Sequence, residues 1–339
     1  MIFGTLPGGA PVELFELSSD KLTVRISNYG GRIISVVKDG MDMIVGPKRF
    51  EDMLKDTCYC GAICGRVANR IAKGRFSIDG DSRTVAVNNG PNHLHGGTKN
   101  FANRLWESRV ETNRVVMSLL SEDGDQNYPG ELNVEAVFDF DDDNALEITY
   151  LAKTDKTTVV NLTNHVYFNL AGDGSGSILD HELRLNSSKV LEMNDKQIPT
   201  GKLLDAAGTP QDFRQFRPFR PGIGSEFNHI RDFKGYDHPF VIDGWQPNIL
   251  GEVGELREKS SGRCVKVLSS QPSVMVYTGN WLAGGCPETK SGGRYADYDG
   301  VAMECQNYPD AVNHPEFPSP LLRPGETYCQ KIVFRFGTF

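Results

Sequence analysis

Hydrophobic and polar residues alternate with a period of two along much of the chain, which predicts many short β-strands. The clearest run is 132–140, and the acidic turn at 141–144 before the alternation of 146–150 predicts a hairpin. Further strands are predicted at 21–27, 33–38, 115–119 and 328–336. No long segment has the i, i+3, i+4, i+7 spacing of an amphipathic helix, and the best helical segment, 50–54, is short.

Turn-forming residues are spread between these runs as punctuation: the chain contains 36 Gly and 18 Pro. Many short strands joined by turns predict an all-β fold, a large antiparallel β-sandwich or barrel with few short helices. No linker or short-period repeat divides the sequence, so residues 1–339 are predicted to form one domain. The long loops around 194–235 and 284–300 are expected to build the functional site.

Residues 161–170 have an unusual polar pattern. One face carries Leu162, Val166, Phe168 and Leu170, and the other carries Asn161, Thr163, His165, Tyr167 and Asn169. An imidazole among amides and a phenol suits the binding of a polyhydroxylated ligand, whereas a solvated strand face is the simpler alternative. Asn164 interrupts the apolar face, and we expect its amide to bond to the backbone.

Two histidines at 93 and 95 allow three interpretations. They could bind a metal together with His165 or Glu304, form hydrogen bonds within a pocket, or lie in the core. Asn69 and Arg70 form a second polar segment, in which an amide and a guanidinium suit hydroxyl, carboxylate or phosphate groups.

Three further residues are candidates for ligand chemistry. Asp237 precedes a Pro-containing turn and is able to accept two sugar hydroxyls or to serve the backbone. Gln271 lies where a predicted strand meets a loop and is a possible polar ligand. Glu304 follows a small apolar run, and a carboxyl group at the buried end of a strand is rare unless it is paired or functional, so Glu304 is the candidate general base.

Charge and composition limit the possible partners. The formal net charge is -8, and no Lys/Arg-rich run exists, which argues against nucleic acid and anionic membranes. No apolar run approaches the roughly 20 residues of a membrane span, and the N-terminus is a poor signal peptide. Seven scattered cysteines indicate reduced thiols and a cytoplasmic protein. Cys58, Cys60 and Cys64 cluster, but no second ligand pair with zinc-finger spacing follows.

Several separated segments together resemble the aldose 1-epimerase (galactose mutarotase) family. In chain order they are Asn69-Arg70, residues 92–97, 101–106, 163–170 and 236–238, Gln271, residues 277–280, Glu304 and residues 317–325. The resemblance covers nearly the whole chain. It implies a single-domain antiparallel supersandwich and the metal-independent, cofactor-free interconversion of the α and β anomers of free hexoses such as galactose and glucose.

The resemblance also implies a role for each matching residue. Glu304 corresponds to the general base, His165 to the general acid and His95 to a pocket histidine near the ring oxygen. The sugar-binding positions correspond to Asn69, Arg70, Asp237 and Gln271. The chain departs from the family in the loop at 101–103, where Phe101-Ala102-Asn103 replaces the usual Phe-Asp-Lys; this change is not expected to affect the acid–base pair.

Inversion at the anomeric carbon requires the cyclic hemiacetal to open. We therefore expect ionised Glu304 to accept the proton of the C1 hydroxyl while protonated His165 donates to the ring oxygen. Each charge is expected to favour the other, which predicts a bell-shaped pH profile. The expected partner is a free aldohexose, bound by a monomer or homodimer.

Three alternatives remain at this point. A hexose-6-phosphate epimerase would need a basic cluster, for which the sequence offers only the scattered Arg214, Arg217 and Arg220. A non-catalytic sugar-binding domain would not need both His165 and Glu304. A metallohydrolase would be built on the histidines at 93, 95 and 165.

Overall fold

The structure is a computed structural model that describes residues 1–140, 143–227, 229–286 and 288–339. The acidic turn predicted at 141–144 therefore lies partly outside the described residues. The strands in chain order are β1 (Ile2–Thr5), β2 (Pro11–Ser18), β3 (Leu22–Ser27), β4 (Arg32–Lys38), β5 (Met41–Asp42), β6 (Ile44–Val45), β7 (Ile63–Cys64), β8 (Arg70–Ile71), β9 (Arg75–Ile78), β10 (Asp81–Thr84), β11 (His93–Leu94), β12 (Glu107–Glu111), β13 (Arg114–Ser121), β14 (Leu132–Phe140), β15 (Ala145–Thr154), β16 (Thr158–Val159), β17 (Thr163–Asn164), β18 (Tyr167–Phe168), β19 (Glu182–Leu185), β20 (Lys189–Met193), β21 (Pro199–Asp205), β22 (Arg217–Pro218), β23 (Asp237–Val241), β24 (Gly251–Glu258), β25 (Arg263–Ser269), β26 (Ser273–Tyr277), β27 (Val301–Gln306), β28 (Leu321–Leu322) and β29 (Tyr328–Thr338).

Helices are few and short. The α-helices are α1 (Phe50–Met53), α2 (Arg220–Ile223) and α3 (Leu282–Gly285), and single 3₁₀ turns lie at Ala72–Gly74, Phe101–Asn103, Asp125–Asn127 and Ala311–Asn313. In the part of the chain that the structure describes, no helix has the length and apolar character needed to cross a membrane.

Two large sheets organise the molecule. One has nine strands in the order β12-β13-β14-β15-β29-β25-β24-β19-β22, and the other has seven in the order β21-β20-β23-β26-β27-β18-β6. A five-stranded sheet, β1-β2-β3-β4-β5, and several two-stranded pairs complete the fold. The strand pairs within the described ranges are all antiparallel, which confirms the prediction of an all-β antiparallel fold.

The main core contains side chains from both large sheets. In β27, Val301, Met303 and Cys305 belong to this core, while Ala302 and Glu304 point to the opposite face because side chains alternate along a strand. Residues of the same core extend from Leu17 to Phe336. That residues 1–339 form one domain stays a prediction.

The segment at 161–170 differs from its prediction. It forms two short strands, β17 and β18, with His165 between them, rather than one continuous strand. Both of its faces are buried, because β17 pairs with β7 while β18 pairs with β27 and β6. The amide nitrogen of Asn164 donates to Gly61 O at 2.8 Å, as expected.

A buried ion pair fixes the turn that follows α1. Arg32 Nη1 donates to Asp56 Oδ2 at 2.5 Å, and neither side chain is exposed. Asp56 also accepts the backbone N–H groups of Cys58 at 2.8 Å and Cys60 at 2.9 Å. The pair therefore determines the path of residues 56–60.

Replacing Arg32 with Met is expected to destabilise the protein by about 3–5 kcal/mol, because it leaves the Asp56 carboxylate buried without its charge partner. Arg25→Met is the matched control: Arg25 pairs with Glu16 at 3.0 Å with both side chains over 40% exposed, so its loss should cost about 0–1 kcal/mol. Urea unfolding of both variants measures the difference, and equal midpoints would contradict the assignment.

Candidate active site

The seven-stranded sheet forms one wall of a polar cavity. Asp237 at the start of β23 pairs with Tyr277 at the end of β26, Tyr277 pairs with Ala302 in β27, and Ala302 pairs with Tyr167 in β18. Residues paired across antiparallel strands point to the same face. Glu304, two residues beyond Ala302, shares that face, so this row and Glu304 line one surface opposite the hydrophobic core.

Turns and short strands form the facing wall. The backbone N–H of His95 donates to Asn69 O at 3.0 Å, and that of Asn69 donates to His95 Nδ1 at 3.2 Å. Asn69, His95 and Tyr59 all have left-handed backbones, with φ of 59°, 48° and 58°. Such conformations are uncommon in residues other than Gly and tend to cluster at functional sites. The chain therefore turns sharply where it meets the cavity.

These walls enclose about 640 Å³. The lining residues are Thr57, Cys58, Tyr59, Asn69, Arg70, Asn89, Leu94, His95, His165, Tyr167, Gln197, Asp237, Tyr277, Trp281, Ala283, Gly284, Gly285, Asp297 and Glu304. A groove of about 670 Å³ runs elsewhere, along β12 to β15, but it contains no histidine and no cluster of buried titratable groups. The first cavity is therefore the candidate active site.

An acid–base pair lies at its base. His165 Nε2 is 3.4 Å from Glu304 Oε1, and both side chains are buried. The second carboxyl oxygen of Glu304 has no hydrogen-bond partner among the described residues. The imidazole stacks on Tyr167 at 4.8 Å and meets His95 edge-on at 5.4 Å. Its orientation is thus held by packing, while Glu304 retains an oxygen for a ligand.

Burial determines the charges of this pair in the unliganded protein. Desolvation lowers the pKa of His165 to about 4. Desolvation also raises the pKa of Glu304 well above its usual range; the negative charge of Asp237 adds to this shift, and Arg70 opposes it. Both shifts favour neutral groups, opposite to the charges predicted for the start of the reaction. The neutral pair and the charged pair hold the same single titratable proton, which is on Glu304 in the neutral pair and on His165 in the charged pair.

A second polar cluster joins Arg70 to Asp237 through a residue that the sequence analysis did not identify. Arg70 Nη2 donates to Gln197 Oε1 at 2.5 Å, and Gln197 Nε2 donates to Asp237 Oδ2. Arg70 Nε also donates to Asn89 Oδ1 at 3.2 Å. Burial raises the pKa of Asp237, while Arg70 and Gln197 oppose that rise.

The two histidines at 93 and 95 separate. His93 Nδ1 bonds to Ala86 O at 2.5 Å and its Nε2 bonds to the Tyr128 hydroxyl at 2.6 Å, so both ring nitrogens are used in the core. The interpretation of His93 as a metal ligand or pocket residue is therefore wrong. His95 does line the cavity, and because its Nδ1 accepts a backbone N–H, its neutral ring carries the proton on Nε2.

Among the described residues, two groups of side chains have the proximity that a metal site requires: Cys64 with His95 and Glu304, and Asp56 with Cys60 and Cys286. In the first, the neutral His95 presents an N–H donor rather than a lone pair. In the second, both Asp56 oxygens already accept hydrogen bonds. The donor chemistry of both groups favours hydrogen bonding over metal ligation. Of the three clustered cysteines, Cys64 belongs to the first group and Cys60 to the second, while Cys58 belongs to neither and lines the cavity.

Gln271 is the predicted binding residue that lies away from the cavity. Its amide donates to the Tyr328 hydroxyl at 3.1 Å. Met275 is the residue opposite Glu304, and four residues of extended chain between 271 and 275 span about 13 Å. The cavity lies toward the far end of β26, at Tyr277, so the placement of Gln271 argues against a contact with the ligand.

The remaining predicted residues converge. Asn69, Arg70, His95, His165, Asp237 and Glu304 all line the cavity. Asp237 begins a strand rather than lying in a turn. The long-loop prediction identified part of the rim, since residues 284–285 and Asp297 contribute to the lining. The departure at Phe101–Asn103 lies outside the lining, where Phe101 packs against Trp106 at 5.9 Å.

These features define an antiparallel β-sandwich protein with a buried imidazole–carboxyl pair inside a polar pocket. The sequence model of the aldose 1-epimerase family matches residues 13–335. The chain is 43% identical to galactose mutarotase from Bos taurus, covering 99% of this chain and 97% of the relative, and 35% identical to aldose 1-epimerase from Escherichia coli, covering 97% and 96%. The chain belongs to the aldose 1-epimerase family and is an isomerase.

Solved structures agree with this assignment. A GalM/aldose epimerase homologue from C. elegans superposes with a TM-score of 0.88 at 28% identity, over 96% of this chain and 99% of that chain. Galactose 1-epimerase from Lactobacillus acidophilus gives 0.87 at 26% identity, over 100% and 98%. The predictions of the family, the supersandwich fold and the enzyme class are confirmed.

The imidazole of His165 is expected to remain neutral in the unliganded protein until the pH falls to about 4, because burial disfavours its charged form. Nitrogen-15 NMR of histidine-labelled protein between pH 8 and 4 measures this titration, and the His165→Ala variant assigns the signal. A His165 ring that is already charged at pH 6 would show that the ion pair with Glu304 outweighs desolvation.

Proposed function

We propose that the protein interconverts the α and β anomers of free aldohexoses, such as galactose and glucose, with Glu304 as general base and His165 as general acid. One observation carries the proposal: the buried carboxyl of Glu304 lies 3.4 Å from His165 Nε2 inside the 640 Å³ cavity. The family membership and the names of the relatives, galactose mutarotase and aldose 1-epimerase, support it.

The reaction needs only proton transfers. Glu304 accepts the proton of the C1 hydroxyl, the C1–O5 bond breaks to give an aldehyde, and His165 protonates the ring oxygen. Rotation about C1–C2 presents the other aldehyde face. Closure then returns the hydroxyl proton from Glu304 and the ring-oxygen proton to His165. No step requires a metal or cofactor, because neither electrons nor a group are transferred.

Desolvation assists both transfers. A carboxylate whose pKa is raised is a stronger base, and an imidazolium whose pKa is lowered is a stronger acid. Ring opening moves one proton onto Glu304 and one proton off His165. It therefore converts the charged pair into the neutral pair that burial favours, so the protein stabilises the open-chain stage relative to the charged starting state.

The surrounding groups provide the sugar contacts. His95 presents its Nε2–H as a donor beside His165, which suits a hydrogen bond to the ring oxygen or a neighbouring hydroxyl. Asn69, Arg70 and Asp237 offer amide, guanidinium and carboxylate groups to the remaining hydroxyls. Buried polar groups of this kind reject analogues that lack the matching hydroxyl, because a missing partner leaves them unsatisfied.

The phosphorylated alternative is disfavoured by charge. Among the described residues that line the cavity, Arg70 is the only Arg or Lys, and it stands with three carboxyl groups, those of Asp237, Asp297 and Glu304. The three scattered arginines are engaged elsewhere: Arg214 pairs with Asp212, Arg220 pairs with Asp180, and Arg217 donates to two backbone carbonyls. A free sugar fits this cavity better than a hexose phosphate.

The proposed enzyme acts in the cytoplasm as a monomer or homodimer, without nucleic acid or membrane as a partner. All seven cysteines are free, which supports a reducing compartment. The formal charge of -8 argues against polyanionic partners.

Replacing Glu304 with Gln, or His165 with Ala, should lower kcat by about 10²–10⁴-fold, because each change removes one proton-transfer group. Polarimetry on freshly dissolved α-D-galactose and α-D-glucose measures this loss, and α-D-glucose 6-phosphate tests the alternative substrate. Glu316→Gln is the matched control, since Glu316 is half exposed and pairs with His314 outside the cavity. Near-normal turnover by either active-site variant would refute the assigned roles.

Activity should depend on pH through the single proton of the Glu304–His165 pair. His165 takes up a second proton only below its lowered pKa of about 4, so activity should fall as the pH drops through that value. The alkaline limit should lie above the ordinary carboxyl range, because burial raises the pKa of Glu304. The pH dependence of kcat/KM, measured at sugar concentrations well below KM over pH 3–9, tests this because it reports the pKa values of the free enzyme; an acid limb centred at pH 6 or higher would contradict it.

A further inference from the structure

We infer that Gln197 is a positioning residue that determines sugar specificity by fixing the orientation of Arg70 and Asp237. The inference rests on the proposed function and adds to it a residue that has no direct part in the proton transfers. The side chain reaches the cavity from the turn between β20 and β21. The oxygen of its amide bonds to the guanidinium of Arg70, and the nitrogen bonds to the carboxyl group of Asp237.

The hydrogen bonds assign one end of the amide to each charge. Its oxygen accepts from Arg70 Nη2 at 2.5 Å, and its nitrogen donates to Asp237 Oδ2. The neutral amide thus lies between two opposite charges and satisfies both without joining them directly. A shorter or apolar side chain at this position would leave the guanidinium and carboxylate free to reorient toward each other.

The bridge also limits what remains available to a sugar. Within the described residues, Gln197 is the only side chain that donates to the Asp237 carboxylate, so Oδ1 stays available as an acceptor. On Arg70, the Nε–H bonds to Asn89 and one Nη2–H bonds to Gln197, which leaves the two Nη1–H groups and the second Nη2–H as donors for a ligand. A fixed acceptor beside a fixed guanidinium with free N–H groups suits a pair of neighbouring hydroxyl groups.

The backbone of Gln197 supports a role for its side chain. Its φ is 57°, in the left-handed region that Gly adopts without strain. The turn is held mainly by the neighbouring Asn194, whose Oδ1 accepts the N–H groups of Lys196 at 2.9 Å and Ile198 at 3.1 Å. The turn therefore forms without the amide of Gln197, and a strained Gln at this point is explained by what its side chain binds.

The first experiment separates side chain from backbone. Gln197→Gly and Gln197→Ala both remove the amide, but only Gly relieves the left-handed strain, so Gly should unfold at a higher temperature than Ala. We expect both variants to raise KM for α-D-galactose or α-D-glucose about tenfold with kcat within about twofold of the wild type. Lys196→Ala is the control: this exposed neighbour pairs with Asp195, and its KM should not change.

A second experiment tests whether Gln197 acts through Asp237. In an Asp237→Asn background, adding Gln197→Ala should change KM by less than about twofold. A panel of deoxyhexoses shows how much the removal of each sugar hydroxyl raises KM in the wild type. The hydroxyl whose removal no longer raises KM in Asp237→Asn should also have most of its effect on KM abolished in Gln197→Ala. The inference would be overturned if the rise in KM of the double variant equalled the product of the rises in the two single variants. It would also be overturned if Gln197→Ala kept the wild-type pattern of KM values across the deoxyhexoses.

The wild-type enzyme distinguishes this inference from the proposed function. If it does not accelerate mutarotation, the proposed function fails, and the role of Gln197 is read from sugar binding by calorimetry. An approximately tenfold weaker Kd in Gln197→Ala would then still support the bridge. An unchanged Kd, or a wild-type protein that binds no aldohexose, would overturn it.

Discussion

Burial of the Glu304 carboxyl group is the constraint on which the rest of the site depends. A carboxyl removed from water inside a sheet strongly disfavours its charged form unless partners compensate. Here His165, itself buried, lies 3.4 Å away, and the charges of Asp237 and Arg70 act on the carboxyl group. The basicity of Glu304 therefore depends on what its neighbours do, and its environment matters as much as its position.

The sheet provides that environment by using its two faces differently. In β27, alternate residues Val301, Met303 and Cys305 enter the main core, and Glu304 emerges on the other side. In β26, Val274 and Val276 do the same behind the row that ends at Tyr277. The packing that stabilises the fold thus also immobilises the strands that carry the site, which limits reorganisation during proton transfer.

Local patterns predicted the strands and many of the site residues, because strand alternation and a buried carboxyl are visible in sequence. Residues 132–140 form β14 with the predicted bounds. The family resemblance identified the residues that converge on the cavity. The resemblance assigned the pocket role to His95, but the local pattern did not separate His93 from His95. The difference arises from the left-handed turn at His95 and from Tyr128, a distant residue that binds the His93 ring.

Other features could not be read locally because they depend on how distant segments meet. Gln271 has suitable chemistry, yet it lies two residues before β26, at the end away from the cavity, where its amide bonds to Tyr328. Gln197 looks like an ordinary polar residue in a hairpin turn, and its role follows from the approach of that turn to Arg70 and Asp237, 127 and 40 residues away. Asn89 and Tyr59 are likewise recruited by tertiary contacts rather than by a motif of their own.

Electrostatics connects the proposed sugar-binding groups to the proposed proton-transfer pair. The negative charge of Asp237 raises the pKa of Glu304, whereas the positive charge of Arg70 lowers it. Under the proposed function, a sugar hydroxyl bound to Asp237 or Arg70 changes the local solvation of that charge and so its effect on Glu304. Recognition of hydroxyl groups and the proton affinity of the base are consequently properties of one charge network.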